Sequence, residues 1–267
     1  MSAVDSLREG NLEESLRQLQ EQVRGEPANA RHRIFLFQLL AVMGRWDRAL
    51  TQLGVIGEMD AGALAMVQAY RELVQCEALR REIFAGARTP VVLGEPEQWV
   101  ALLIEALRLA GEGRTGESQA IRAQAFELAP ATAGSMDGER FAWIADADPR
   151  LGPVLEVMVN GRYCWVPFSR VSRITLEPPT DLRDLVWLPG YVTWANGGEA
   201  AVFLPTRYPG TEASADEAVV LARKTEWQDL GHELYLGLGQ RMLVTDVGDH
   251  PLLEVRNLAF DAAPAAA

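Results

Sequence analysis

Three acidic side chains open the search for chemistry. Asp146 and Asp148 stand two residues apart, and Glu156 follows in the same segment. Carboxylates grouped this way can hold a divalent cation or divide acid and base work in a hydrolase. The counter-reading is structural: a metal needs further ligands at a set spacing, and Asp148-Pro149 is ordinary turn or helix-cap chemistry. His32, His232 and His250 are scattered, with no HExxH pair among them. Cys76 and Cys164 make no CxxC, so neither a zinc site nor a disulfide framework is expected. Cys164 would be a nucleophile only beside a base. Ser169 and Ser172 lie in no GxSxG turn, and Gly237-Leu238-Gly239 lacks the third glycine of a dinucleotide loop. No P-loop is present. The residues therefore predict no catalytic constellation, no cofactor and no metal.

The elements that must position these residues fall into two textures. In the first, Gly10-Asn11-Leu12-Glu13-Glu14-Ser15-Leu16 returns as Gly44-Arg45-Trp46-Asp47-Arg48-Ala49-Leu50, an offset of 34 residues and the tetratricopeptide period. Each position has a physical reason. The glycine turns the chain tightly between helices, the small residue lets paired helices approach, and the leucine faces the core. Pro27 ends the first unit. Gly113, Ala125, Leu128 and Pro130 mark a further copy, and one degenerate unit lies between. There the spacing predicts a single helix over Ala63–Ala85, then a stretch broken by Gly86, Pro90, Gly94 and Pro96, then a helix from about Glu97. The expectation is three and a half helical hairpins stacked as a short solenoid over residues 1–132.

From residue 133 to 267 short β-rich runs dominate. Val154–Val159 and Arg162–Phe168 flank Asn160-Gly161, a strong hairpin signal because both turn residues need positive φ. Further strands are expected at Val171–Glu177, Asp184–Leu188, Tyr191–Trp194, Ala201–Leu204, Val219–Thr225, Arg241–Thr245 and Leu252–Phe260. Ala131–Gly138 reads as a linker and Ala262–Ala267 as a frayed tail. The fold class expected is α+β: tetratricopeptide-like helices, then a small antiparallel barrel or sandwich.

Composition narrows the function classes. With 37 acidic and 25 basic side chains in 267 residues the formal charge is −12, so a nucleic-acid face is not expected. The longest uncharged apolar run, Ile34–Gly44, is too short to cross a bilayer, and the N-terminal residues form no signal peptide; a cytoplasmic protein is expected. A solenoid of helix pairs can capture a partner helix in a groove. Arg45, Trp46, Tyr70 and Trp99 have the chemistry of interface anchors, although apolar stripes at helical spacing also pack hairpin on hairpin. Acidic rim residues would steer a basic partner. A general peptide-binding scaffold fits the same helices.

Several segments of the β-rich part are similar to one family. Trp143-Ile144-Ala145-Asp146-Ala147-Asp148-Pro149-Arg150-Leu151-Gly152-Pro153-Val154-Leu155-Glu156 resembles a signature stretch of the ImpE family, also called TagJ or SciE. Asn160–Tyr163, Trp165–Phe168, Asp181–Trp187, Pro205-Thr206-Arg207-Tyr208-Pro209-Gly210, Gly239–Arg241 and Thr245-Asp246 extend the likeness in order. The resemblance implies a cytoplasmic, non-enzymatic accessory protein of bacterial type VI secretion. It implies contact with a helix of the sheath subunit TssB and a link to ClpV, the ATPase that disassembles contracted sheaths. It supplies no catalytic residue.

Overall fold

The computed structural model describes residues 2–95, 97–231 and 234–261; Pro96, His232 and the tail 262–267 lie outside the described residues. Seven helices come first: α1 (Ala3–Arg8), α2 (Leu12–Gly25), α3 (Ala30–Val42), α4 (Trp46–Met59), α5 (Leu64–Phe84), α6 (Gln98–Gly111) and α7 (Thr115–Leu128). A two-residue strand, β1 (Val91–Val92), interrupts them between α5 and α6.

The repeated glycines sit where the period places them. Gly10, Gly44 and Gly113 have φ of +85°, +64° and +77° and end α1, α3 and α6. At each, the glycine N–H and the next N–H reach back to carbonyls of the closing turn, as at Arg45 N to Leu40 O (2.8 Å). The small residue five positions on is fully enclosed in all three: Ser15, Ala49 and Ser118. The two serines also donate to the preceding helix, to Ala3 O and Ala106 O, at 2.7 Å each. The match weakens in the last copy, where Leu128 is 53% exposed rather than packed. Gly86 and Gly111 let α5 and α6 cross backbone to backbone: a Cβ on Gly111 would overlap the Ala85 carbonyl oxygen.

The remaining strands are β2 (Gly134–Met136), β3 (Glu139–Phe141), β4 (Ile144–Asp146), β5 (Val154–Val159), β6 (Arg162–Pro167), β7 (Val171–Leu176), β8 (Trp187–Trp194) and β9 (Glu199–Pro205). A short helix α8 (Glu217–Val220) follows, then β10 (Thr225–Asp229), β11 (Tyr235–Gly239), β12 (Met242–Thr245), β13 (Asp249–Pro251) and β14 (Asn257–Phe260). Nine strands form one sheet in the order β1-β6-β5-β9-β8-β7-β14-β2-β3, antiparallel except where β1 joins β6 in parallel. β13-β12-β4 and β10-β11 form two smaller antiparallel sheets. The architecture is α+β.

Asn160 and Gly161 take φ of +50° and +72°, as the hairpin signal requires, and set Val154 opposite Pro167 through to Val159 opposite Arg162. Other expectations are corrected. The Ala131–Gly138 linker contains β2, which pairs with β3 and β14. Leu182–Leu185 is a 3₁₀ turn, closed by a box between Asp181 and Asp184, and the strand begins at Trp187. Val219–Thr225 is not a strand: Asp216 accepts from Ala218 N and starts α8, overriding the local β preference of Val219-Val220. Within Leu252–Phe260 only the end is strand.

Every residue of β5 and all but Arg162 of β6 are buried, so this hairpin is covered on both faces. Leu155, Val157, Val159, Cys164 and Val166 face a core shared with β7, β8, β9, β12 and β14. Val154, Met158, Tyr163 and Trp165 face the other way, into a core continuous with the helices. The hairpin is thus one wall common to two cores.

Candidate functional site: a buried ion network and an interhelical cleft

The carboxylates that opened the search are spent inside the molecule. Glu156, fully buried on the helix-facing side of β5, accepts from Arg80 of α5 through Nε (2.6 Å) and Nη2 (3.0 Å). It also accepts from the Tyr163 hydroxyl at 2.5 Å, while Arg241 Nη1 lies 3.2 Å away. Trp165 Nε1 donates to that same hydroxyl at 2.7 Å. Arg241 bridges onward to Asp146 Oδ2 through Nε (2.9 Å) and Nη2 (2.6 Å). The other Asp146 oxygen accepts from Tyr208 (3.1 Å) and from Asp148 N (2.8 Å). Asp148 is held by Arg150 at 2.6 Å and by Gly237 N at 3.1 Å.

The electrostatics follow from burial set against these partners. Burial pushes Glu156 upward, but Arg80 and Arg241 pull it further the other way, to about 2. Burial dominates at Asp146 and raises it to about 6 despite Arg241. Arg80 is pushed down by burial and pulled well above its ordinary value by Glu156 and Glu77. Glu77 is raised by burial against the pull of Arg80, and it accepts from Trp187 Nε1 at 3.0 Å. Cys76 is raised by burial to about 12 and Cys164 is raised by burial, so both are held as thiols. Among the described residues no group of three or more His, Cys, Asp or Glu is placed to hold a metal ion.

The β-rich part also caps the helices, whose end groups otherwise lack partners. Arg207 donates through Nη1 to Val42 O of α3 (2.7 Å) and Val220 O of α8 (2.6 Å). Burial lowers it to about 10. Arg223 reaches Leu7 O and Arg8 O of α1, and Glu217 accepts from Leu12 N of α2.

The four anchor candidates separate. Tyr70 is 6% exposed and packs against Phe37, Trp187 and Phe203 at 5.4, 5.8 and 5.8 Å between ring centres. Trp99 is 3% exposed and donates to Glu97 at 2.8 Å. Both rings lie inside the molecule. Arg45 and Trp46 line an open cleft of 670 Å³ between α4 and α5. Trp46 is half-buried, its ring 5.8 Å from Trp187, and Arg45 pairs with Glu13 of α2.

A family model described as ImpE protein matches residues 138–259. The type VI secretion system accessory component TagJ of Pseudomonas aeruginosa is 55% identical over 261 residues, covering 98% of this chain and 92% of that one. The chain belongs to the ImpE family. A crystal structure of a Vibrio parahaemolyticus protein superposes with a TM-score of 0.88 at 25% identity, covering 97% of both chains, so the fold is shared along the length.

The segments that carried the ImpE resemblance converge in space. Asp146, Asp148, Arg150, Glu156, Tyr163, Trp165, Arg207, Tyr208 and Arg241 form the network and its capping arm. Two members were missed in the sequence: Glu77 and Arg80, on α5 and outside the family match. Their signal is positional. The buried face of α5 runs through Tyr70, Leu73, Val74, Glu77, Arg80 and Phe84, so two charges stand on an apolar stripe. A charge at such a position needs a buried partner.

Proposed function

We propose that this ImpE-family chain is a non-enzymatic accessory component of a bacterial type VI secretion system. In this reading it works in the cytoplasm as an adaptor that captures a helix of the sheath subunit TssB, in functional link with the ClpV ATPase. One observation carries it: 55% identity to the P. aeruginosa accessory component TagJ across 98% of the chain. Two features of the molecule support it. Asp146, Asp148 and Glu156 each face an arginine, which favours a structural over a hydrolytic use of these carboxylates. The cleft between α4 and α5 has the shape that helix-in-groove capture needs. Among the described residues no helix is long and apolar enough to cross a membrane.

Titration calorimetry of the full chain against purified TssB tests the proposal. The expected result is saturable 1:1 binding with a negative heat-capacity change from apolar burial. Absence of heat and of co-elution at protein concentrations of about 100 μM, where even an affinity weaker than −8 kcal/mol would register, overturns it.

A further inference from the structure

The cleft between α4 and α5 is built from helical ridges. Trp46 and Leu50 stand one turn apart on α4; Val74, Ala78 and Arg81 follow at one-turn steps on α5. Two rows at this spacing leave a furrow for the ridge of a third helix. Trp46 forms an apolar wall at its edge and is braced from behind by Trp187.

The charges around the furrow run against the charge of the whole. The chain carries −12, and many of its arginines are tied into ion pairs. Arg48 and Arg81 are exposed on opposite banks of the cleft, and neither forms an ion pair among the described residues. Arg45, on the α4 bank, is already paired with Glu13 of α2. Two acids also line the cleft, and Asp47 is exposed and forms no ion pair among the described residues. Asp47 lies in the first turn of α4, at the positive end of the helix dipole. Glu212 lies so close over Gly44 that a Cβ there would sit 2.5 Å from its Cγ, and its charge acts on buried Arg207. A second open groove, past Phe126, Pro130 and Trp143, has no exposed charge in its lining.

We infer that this cleft receives an acidic amphipathic helix of a partner protein. The helix's apolar ridge lies along Trp46 and Leu50, over a floor formed by buried Val74, and its flanking carboxylates meet Arg48 and Arg81. This rests on the helix-in-groove reading above and specifies the partner's charge, which the net charge of −12 would set to the opposite sign. Guanidinium–carboxylate pairs at an exposed rim act mainly on encounter rate and on rejection of wrong partners. The site therefore selects as much as it holds.

The test uses the full-length protein and two designed helical peptides of about 18 residues, long enough to hold helix in water. Both carry the same apolar stripe at i, i+4 and i+7. One is flanked by Glu, the other by Lys. Fluorescence anisotropy is read at about 0.05 and 0.3 M salt, on either side of the concentration at which rim charges are strongly screened. The Glu peptide is expected to bind about tenfold or more tighter than the Lys peptide, with the gap shrinking at high salt. The double variant R48E/R81E should reverse the preference and melt like the parent, because both side chains are exposed. Equal binding of the two peptides, binding of neither at about 1 mM, or indifference to the charge reversal would each overturn the inference. The two proposals fail separately. If peptides discriminate while TssB does not bind, the partner's identity falls; if R48E/R81E binds TssB as well as the parent does, the cleft falls.

Discussion

Replacing Glu156 by glutamine keeps the volume and removes one buried charge. In the parent, that carboxylate offsets Arg80 at 2.6 and 3.0 Å and lies 3.2 Å from Arg241, with no solvent exposure. The variant leaves both guanidiniums under-compensated and turns one acceptor into a donor that faces other donors. Removing one partner of a buried pair costs about 3–5 kcal/mol. The proton equilibrium gives a similar figure: a carboxyl held at about 2 instead of 4.5 contributes about 3 kcal/mol at neutral pH. At about 2–4 °C per kcal/mol for a chain near this size, the melting temperature of E156Q should fall by about 6–20 °C. Urea denaturation followed by circular dichroism and tryptophan fluorescence measures the loss. R80M and the double variant E156Q/R80M complete a cycle, with an expected coupling of about 1–3 kcal/mol. If E156Q loses less than about 1 kcal/mol, or if the two losses add, the network is not the joint described here.

Glu156 also sets an acid limb. Its folded value lies below its unfolded one, so its contribution is whole above pH 4.5 and is lost as pH falls toward 2. Stability of E156Q measured against pH should be flatter than the parent's over that window; parallel curves would contradict the assignment. R207M leaves Val42 O and Val220 O without their buried donor and should cost about 2–3 kcal/mol in the same denaturation assay. G111A forces a Cβ against the Ala85 carbonyl and should lose about 1–3 kcal/mol, whereas G116A, with open space at its Cβ, should be neutral or gain up to about 1 kcal/mol. Equal effects at the two glycines would remove the close crossing of α5 and α6 as an explanation.

What could be read from the sequence was what the backbone demands locally. The 34-residue step survives in Gly10 and Gly44 because positive φ at a helix end favours glycine, and Asn160-Gly161 declares its hairpin for the same reason. The three-residue strands β2, β3 and β4 had no periodicity to detect; β2 and β3 pair across Asp137-Gly138, at φ of +48° and +93°, a local hairpin signal that the linker reading passed over, and β4 is defined by its distant partner β12. Val219-Val220 looked like strand because β preference is local, while the cap at Asp216 decides the outcome. Among the anchor candidates, residue type did not separate an enclosed ring such as Trp99 from a cleft-lining one such as Trp46. Asp146, Asp148 and Glu156 drew attention as reactive groups; the arginines that occupy them come from positions 80, 150 and 241, two of them far away in the chain.

That separation bears on how the chain is made. During synthesis from the N-terminus, α5 emerges with Glu77 and Arg80 on its apolar stripe while the carboxylate that answers Arg80 is still 76 residues from being translated. The arginine that joins Glu156 to Asp146 comes later still, at position 241. A nascent helical segment on the ribosome therefore has a face it can neither bury nor leave comfortably wet until the β5–β6 hairpin arrives. Chains stalled between those points should be the ones that holding chaperones retain.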